Sequence, residues 1–359
     1  MKRFIFILTV IFVISACSSI DNDQSENNDR NAETIEVTTR DTEIITTDLN
    51  IPWNINKHNN SFYLSQREGT IIKVDGVTGS KIVQSVEVTK DVLHEGEGGL
   101  LGFILAPEFD HSREAFAYHT YKQDGQIYNR IIVLELIENT WKEVTLLLDG
   151  IPGGRIHNGG RIKIGPDGKL YATTGDAGEP EKAQNTEDLA GKILRMELDG
   201  SVPKDNPFAN SNVYSYGHRN PQGIAWDDDG ILYSSEHGQT GHDELNLIEP
   251  GKNYGWPIIE GDQQAPNMVT PLFHTGDNTW APSGIAIKNN KIYVANLRGG
   301  NIQVFNLIDH TVDTLFENVG RMRDVMIEND TIYTLTNNLD GRGVPQEGDD
   351  KLFGISLVE

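Results

Sequence analysis

A repeated hairpin is the sequence feature that most constrains the fold. A short apolar strand is followed by a turn of Gly, Asp or Asn and then by a second strand with a Tyr or Phe near its start. This pattern is typical of paired antiparallel strands. Clear copies occupy residues 61–65, 162–173, 224–234, 285–294 and 325–334, and a weaker copy surrounds residues 115–120.

The spacing of the six copies predicts an all-β fold, specifically a six-bladed β-propeller. Each unit takes about 54 residues, close to one four-stranded blade lengthened by loops. A pair of β-sandwiches uses similar hairpins but does not account for one motif recurring six times. A propeller also closes its sheets radially, which limits exposed strand edges. The Tyr or Phe of each second strand is expected to pack in the core.

The N-terminus predicts export. Lys2 and Arg3 precede an apolar run at residues 4–14, which is too short for an ordinary membrane-spanning helix. Small residues then lead into Cys17, the single cysteine of the chain. We interpret residues 1–16 as a lipoprotein signal peptide and Cys17 as the acylated residue. The alternative is an ordinary signal cleaved near Ala16, with Cys17 incidental.

The remaining organisation follows from composition. Residues 17–34 are rich in Asn, Asp, Ser and Glu and are expected to form a disordered polar tether. Residues 35–359 then form the propeller domain. The net charge of −23, from 30 Lys plus Arg against 53 Asp plus Glu, argues against a nucleic-acid partner. Contact with a membrane is expected only through the lipid anchor.

Polar, glycine-rich segments follow the hairpins, where a propeller carries functional loops. These segments gather arginines in an otherwise acidic chain: Arg219, Arg298, Arg321 and Arg323. Guanidinium groups converging from separate blades indicate a small polyanionic ligand, because each can pair a carboxylate in bidentate fashion. The alternative is that each arginine pairs with a local Asp or Glu.

Two further groups suit chemistry at a loop site. His157, followed by Asn-Gly-Gly, is a candidate general base, although a lone histidine is more often structural. Glu236, Asp243 and Glu244, with backbone carbonyls near Gly238, form an oxygen-rich cluster. Such a donor set favours calcium over zinc or copper.

Five motif segments stand in order along the chain: residues 96–103 (GEGGLLGF), His157 with Gly160-Arg161, residues 216–223 (YGHRNPQG), residues 253–257 (NYGWP) and residues 321–324 (RMRD). Together they resemble the soluble glucose/sorbosone dehydrogenases that depend on pyrroloquinoline quinone (PQQ), and in particular their aldose sugar dehydrogenase branch. The resemblance covers nearly the whole predicted domain.

The resemblance implies PQQ and calcium as cofactors and an aldose sugar as substrate. His157 matches the base that takes the anomeric hydroxyl proton while the C1 hydride passes to the quinone. Arg219 matches a catalytic residue at the quinone oxygens. The implied cofactor-binding residues are Glu97, Asp176, Arg219, Asn220, Arg298, Arg321 and Arg323. The implied calcium positions are Gly238 and Gln239, through their carbonyls, and Glu244 and Tyr254.

Three departures from the glucose dehydrogenase branch are visible. Glu97 replaces a glutamine near the sugar and cofactor, and Arg298 replaces a lysine. The segment 258–280 is short, whereas the glucose dehydrogenase branch carries a long insertion there that supplies substrate contacts and dimer surface. An open, less selective site and a monomer are therefore expected.

The sequence leaves the electron acceptor unidentified and predicts an extracytoplasmic enzyme, lipid-anchored to the bacterial cell envelope. One alternative is a non-catalytic carbohydrate-binding or sensing propeller that has kept the fold. Another is a calcium-dependent hydrolase of the lactonase type, which needs several carboxylates around a metal on the channel axis.

Overall fold

The computed structural model describes residues 41–357. The predicted signal peptide, Cys17 and the tether at residues 17–34 lie outside this range. Within it the chain forms 24 strands, one short α-helix (Phe109–Ser112) and one 3-10 helix (Pro180–Gln184). No helix in the described part of the chain has the length and apolar character needed to cross a membrane.

The strands are numbered in chain order. They are β1 Thr42–Thr46, β2 Pro52–His58, β3 Ser61–Gln66, β4 Thr70–Asp75, β5 Lys81–Glu87, β6 Leu100–Leu105, β7 Glu114–Gln123, β8 Gln126–Ile137, β9 Thr140–Pro152, β10 Ile162–Ile164, β11 Leu170–Thr174, β12 Lys192–Met196, β13 Val213–Tyr216, β14 Pro221–Trp226, β15 Leu232–Glu236, β16 Glu244–Ile248, β17 Phe273–His274, β18 Pro282–Lys288, β19 Lys291–Asn296, β20 Asn301–Asn306, β21 Val312–Glu317, β22 Met322–Glu328, β23 Thr331–Thr336 and β24 Leu352–Ser356.

The described strands form five sheets, in which the paired strands are antiparallel except for β5 and β9. Three four-stranded sheets run β10 to β13, β14 to β17 and β18 to β21. A fourth has the order β1-β24-β23-β22, so the first described strand completes the last sheet. An eight-stranded sheet consists of β2 to β5 and β6 to β9, joined by parallel pairing of β5 with β9. The predicted all-β class is therefore confirmed.

Burial follows the position of each strand in its sheet. Every residue of β11 and of β15 is buried, as expected where a sheet is covered on both faces. Strand β5, at the junction of the two halves of the eight-stranded sheet, is mostly exposed. The hairpin turns have the predicted chemistry: Asn289 and Asn290, between β18 and β19, both have positive φ (52° and 57°), as a type I′ turn requires.

Four aromatic residues of the repeat lie in the core, whereas Tyr333 of the last hairpin is half-buried. Tyr63, Tyr171, Tyr233 and Tyr293 are buried, each in an apolar cluster of its own sheet or the next. Tyr171 packs edge-on against Trp226, with ring centroids 5.0 Å apart. Burial of one such side chain contributes about 1.5–3 kcal/mol. The repeated aromatic therefore stabilises the contact between neighbouring sheets and leaves the strand ends free to carry polar loops.

Candidate active site

A cavity lies where loops from all five sheets meet. Its walls come from strand β2, the loop after β3, the loops before β6 and β10, the start of β14, the loops after β15 and β19, strand β22 and the loop between β23 and β24. The lining residues are Trp53, Arg67, Gly96, Glu97, Asn158, Gly159, Asn220, Gln222, His237, Leu297, Arg323, Asp340 and Arg342. Three guanidinium groups face two carboxylates in this set, so the lining is net positive in an acidic chain.

His157 and Asp176 form a pair beside the cavity. His157 precedes β10, Asp176 follows β11, and His157 Nδ1 lies 2.7 Å from Asp176 Oδ1. The Asp176 side chain is fully buried, whereas 13% of the His157 side chain remains accessible. The Asp176 backbone N–H donates to the Arg219 carbonyl at 2.8 Å, which ties this loop to the one before β14.

The surroundings of Asp176 keep it ionised. Burial alone raises the pKa of a carboxyl group, but hydrogen bonds from His157, from the Gly178 N–H (2.8 Å) and from the Trp256 indole N–H (2.8 Å) outweigh burial and lower the pKa of Asp176. An ionised Asp176 requires a proton on His157 Nδ1. In the neutral imidazole the second ring nitrogen of His157, Nε2, is then the acceptor.

Arg219 and Asn220 lie next to this pair. The Arg219 guanidinium sits over the Trp256 ring, 5.3 Å from its centroid, and donates to the His237 carbonyl at 3.2 Å. The Nε atom of Arg219 is buried and lacks a hydrogen-bond partner among the described residues. The Asn220 amide oxygen accepts the Gly159 backbone N–H at 3.1 Å. The structure thus places Asn220 in the cavity lining and Arg219 next to it in the chain, outside the lining.

Glu236 holds Arg219 and Asn220 in place. One carboxylate oxygen accepts both of their backbone N–H groups, the bond from Asn220 being 3.3 Å long. The other accepts from His218 Nδ1 at 2.9 Å. The sequence placed Glu236 in an oxygen-rich metal cluster, whereas in the structure its oxygens organise the loop before β14.

The predicted arginines divide into three kinds. Arg321 donates through Nε (3.0 Å) and Nη2 (2.8 Å) to one oxygen of Asp340, so it pairs locally. Arg298 is exposed and lies outside the cavity lining. Arg323 is buried in the lining, and no carboxylate in residues 41–357 forms an ion pair with it. Of the four, Arg323 and Arg219 combine burial or partial burial with the absence of an ion pair within residues 41–357.

Arg323 is held by neutral oxygens, namely those of Asn337 (3.1 Å), Gln222 (3.3 Å) and Ser283 (3.3 Å). Burial, together with the nearby positive charges of other arginines, lowers the pKa of Arg323 to about 9. A buried cation without a counter-ion is costly, so this site favours an anionic ligand.

Sequence reasoning missed Arg67, Trp53, Asp340 and Arg342 in this wall. Arg67 donates to the carbonyl of Gly98 at 2.8 and 3.1 Å and also to that of Gly96. Its position directly after a hairpin strand was a usable signal. Trp53 lies under two buried guanidiniums, 4.1 Å from Arg161 and 5.9 Å from Arg323. No local pattern marks Trp53, because its partners are more than one hundred residues away in the chain.

The candidate calcium residues have an unusual electrostatic setting. Glu236 and Glu244 lie directly opposite each other on β15 and β16, an arrangement that is unfavourable for like charges. Burial and the neighbouring Glu236 raise the pKa of Glu244 to about 8. Its oxygens receive only long bonds, from Asn246 (3.1 Å) and the Gly261 N–H (3.3 Å). A cation at this carboxylate fits the charge of the site.

The other predicted calcium positions contribute differently. The Gly238 N–H donates to Asp243 at 2.9 Å, and Gln239 is exposed. The Tyr254 hydroxyl donates to the Leu247 carbonyl at 2.6 Å, so only main-chain oxygen remains at that residue for a metal. The described residues contain no cluster of three His, Cys, Asp or Glu side chains arranged to bind a metal. A calcium ion here would rest on Glu244 and backbone carbonyls.

Comparison with known proteins identifies the family. The glucose/sorbosone dehydrogenase family model matches residues 49–345. The chain belongs to the glucose/sorbosone dehydrogenase family. The resemblance predicted from the motif segments is therefore confirmed, and so is the class of protein, an oxidoreductase.

Individual relatives agree with this assignment. Quinoprotein glucose dehydrogenase B of Acinetobacter calcoaceticus is 36% identical over 62% of this chain, and the match spans 53%, about half, of that relative's length. Aldose sugar dehydrogenase YliI of Escherichia coli is 28% identical over 83% of this chain and 90% of its own. The PQQ-bound form of the aldose sugar dehydrogenase of Streptomyces coelicolor is 39% identical, with a TM-score of 0.82, over 88% of this chain and 98% of its own.

Proposed function

We propose that this chain oxidises aldose sugars at C1 to the lactone, using PQQ and calcium on a six-bladed β-propeller. The observation that carries the proposal is the His157–Asp176 pair beside a net positive cavity in a member of this family. The sheet order supports six blades when the eight-stranded sheet is counted as two four-stranded halves.

The residues present fit PQQ, which carries three carboxylates. Arg323 is a buried cation without a carboxylate partner in the described range. The Nε atom of Arg219 is buried and has no hydrogen-bond partner among the same residues. These two would hold the cofactor, with Asn220 and the net positive lining around them; Arg321 would contribute through its accessible edge. When bound, PQQ supplies the two-electron acceptor for the hydride of the sugar.

The chain's own part in the reaction is proton removal. His157 Nε2 accepts the proton of the anomeric hydroxyl, and the charge that forms on the imidazole is stabilised by ionised Asp176 at 2.7 Å. Arg219, fixed by Glu236 and Trp256, would supply positive charge to stabilise the negative charge that develops during reduction. Calcium would rest on Glu244 and on the carbonyls of Gly238, Gln239 and Tyr254.

The proposal extends to the residues outside the described range. Residues 1–16 act as a signal peptide, and acylated Cys17 anchors the enzyme to the outer side of a bacterial membrane through the tether at residues 17–34. The short segment 258–280 supports a monomer with an open substrate site. Arg298, exposed in the structure, would reach the ligand only from the rim of the cavity.

The test is a dye-linked assay on purified protein lacking residues 1–17, with calcium, PQQ and several aldoses. Activity should require both additions and fall by roughly 10²-fold or more in His157→Ala, the scale of a lost general base. His58→Ala, which removes a surface histidine paired with Asp110, is the matched control and should leave activity unchanged. PQQ bound without turnover would instead indicate a binding or sensing protein. Absence of both binding and turnover would overturn the proposal.

A further inference from the structure

Glu97 connects two distant loops of the cavity wall. Its Oε2 accepts the backbone N–H of His157 at 2.9 Å. Its Oε1 accepts from Arg342 Nη1 at 2.8 Å, across 245 positions of sequence. The Glu97 side chain is 26% exposed and that of Arg342 57% exposed, so the pair lies at the mouth of the cavity. Both carboxylate oxygens thus already have partners within the protein.

The backbone of His157 needs such support. His157 has φ of 56°, in the left-handed region that residues with a β-carbon seldom adopt. Three contacts hold it there: the N–H to Glu97, the carbonyl that accepts the Ala177 N–H at 3.1 Å, and the ring bond to Asp176. The Glu97 contact is the only one of these three that comes from outside the segment formed by residues 157–177.

The charge of Glu97 has a separate role from its hydrogen bond. A glutamine could accept the His157 N–H equally well, but it would not form an ion pair with Arg342. Burial raises the pKa of Glu97, whereas the His157 N–H and Arg342 outweigh burial and lower the pKa. The ionised side chain is thereby held between the loop before β6 and the loop between β23 and β24.

We propose that Glu97 is a positioning residue for His157, and that Arg342 holds Glu97 in the orientation this requires. The inference rests on the proposed function, because it assigns His157 the role of base. In this role Glu97 contacts the backbone of His157. The family resemblance instead implies a direct contact with the cofactor or sugar at this position.

The first test reads the histidine itself in the full mature chain without cofactor. Two-bond ¹H–¹⁵N spectra report the ring tautomer, and His157→Gln identifies the signals of His157. The parent protein should show a single Nδ1–H tautomer at His157. Glu97→Ala should broaden or average these signals, and Glu97→Gln should restore them, since the amide oxygen can accept the same N–H.

The second test separates kcat from KM in the loaded enzyme. Glu97→Ala should lower kcat by about tenfold or more with little change in KM, as expected when a base is displaced by a fraction of an ångström. Glu97→Gln should recover most of that loss. Arg342→Ala should have an intermediate effect that Arg342→Lys reduces.

Glu95→Ala is the matched control. Glu95 lies on the same loop and pairs with Arg155, without a bond to His157. Its replacement should alter neither the spectra nor kcat. The inference would be overturned if Glu97→Ala kept the parental His157 signals and kcat but had a raised KM or weaker PQQ binding. Glu97 would then be a ligand contact. If the parent itself is inactive, the proposed function fails, whereas the spectra still decide the positioning role.

Discussion

Trp256 and Asp176 lie 80 residues apart in sequence, yet the indole N–H of Trp256 donates to Asp176 Oδ2 at 2.8 Å. Asp176 Oδ1 meanwhile binds His157 Nδ1. The face of the same indole lies against the Arg219 guanidinium. One tryptophan therefore joins the carboxylate that orients the candidate base to the cation on the other side of the site.

Trp256→Phe tests this connection, because phenylalanine keeps an aromatic face for Arg219 but removes the N–H. With one donor fewer, the pKa of Asp176 should rise. A carboxylate with a depressed pKa loses its charge as pH falls through that pKa, so the acidic limb of the pH–rate profile should move to higher pH. We expect kcat to fall by about three- to tenfold, less than the full effect of one hydrogen bond to a charged group, because this bond reaches the base only through Asp176.

Trp226→Phe provides the comparison for that variant. Trp226 packs against Tyr171 in the core and has no contact with Asp176. The Trp226→Phe variant should have a lower melting temperature and the same pH–rate profile as the parent. A pH profile of Trp256→Phe that matches the parent would show that the indole N–H has no electrostatic role at Asp176.

Asp176→Asn tests the tautomer of the base. An amide places either a weaker acceptor or an N–H donor against His157 Nδ1, and the donor orientation moves the ring proton to Nε2. We expect kcat to fall by roughly 10²–10⁴-fold, the range that general-base catalysis contributes; replacing the orienting carboxylate of a serine-protease triad by an amide costs about 10⁴-fold. Asp167→Asn, at a hairpin turn where Asp167 binds Arg195, should affect stability alone. Near-parental kcat in Asp176→Asn would exclude a base fixed by Asp176.

The sequence predicts the strands much better than it predicts the contacts between loops. The hairpins at residues 162–173 and 285–294 appear as β10–β11 and β18–β19 because alternation and turn chemistry are local properties. His157 and Asp176 were both identified, since each lies in a polar segment next to a hairpin. Local patterns, however, do not show which loop ends meet.

The arginines illustrate this limit. Arg321 and Arg323 are two positions apart and have the same charge, but one pairs with Asp340 and the other faces neutral oxygens. That difference depends on a loop beyond β23, which sequence spacing does not place. The link from Glu97 to Arg342 was invisible for the same reason, as it joins loops 245 positions apart in the sequence.

Arg323→Met and Arg321→Met should differ in the protein without cofactor. Removing Arg321 leaves Asp340 as a buried, unpaired carboxylate and should lower the free energy of unfolding by about 3–5 kcal/mol. Removing Arg323 loses hydrogen bonds to neutral oxygens but also relieves a buried, unpaired charge. Its cost should therefore stay under about 1.5 kcal/mol. Urea unfolding of both variants without PQQ measures this difference.

The same two variants also test where the anion binds. Arg323→Met should weaken PQQ binding by about tenfold or more, because a charged hydrogen bond to a carboxylate contributes about 1.5–3 kcal/mol. An absorbance titration with PQQ in the presence of calcium gives the affinity. Equal destabilisation of both variants, together with parental PQQ affinity in Arg323→Met, would contradict the assignment of Arg323 as the free cation of the site.

Calcium binding should be linked to pH through Glu244. The pKa of this group is about 8 in the fold, against about 4.3 for an ordinary glutamate, so the folded chain holds a proton that the unfolded chain has lost. Stability without calcium should therefore fall as pH rises from about 4.5 to 8. Calcium competes with this proton, so added calcium should raise the melting temperature more at pH 8 than at pH 6. Differential scanning calorimetry with and without calcium measures both trends.

Glu244→Gln, which cannot titrate, should reduce both the pH slope and the calcium effect. A calcium effect unchanged in Glu244→Gln would place the ion elsewhere and leave the raised pKa as a property of the opposed carboxylates on β15 and β16.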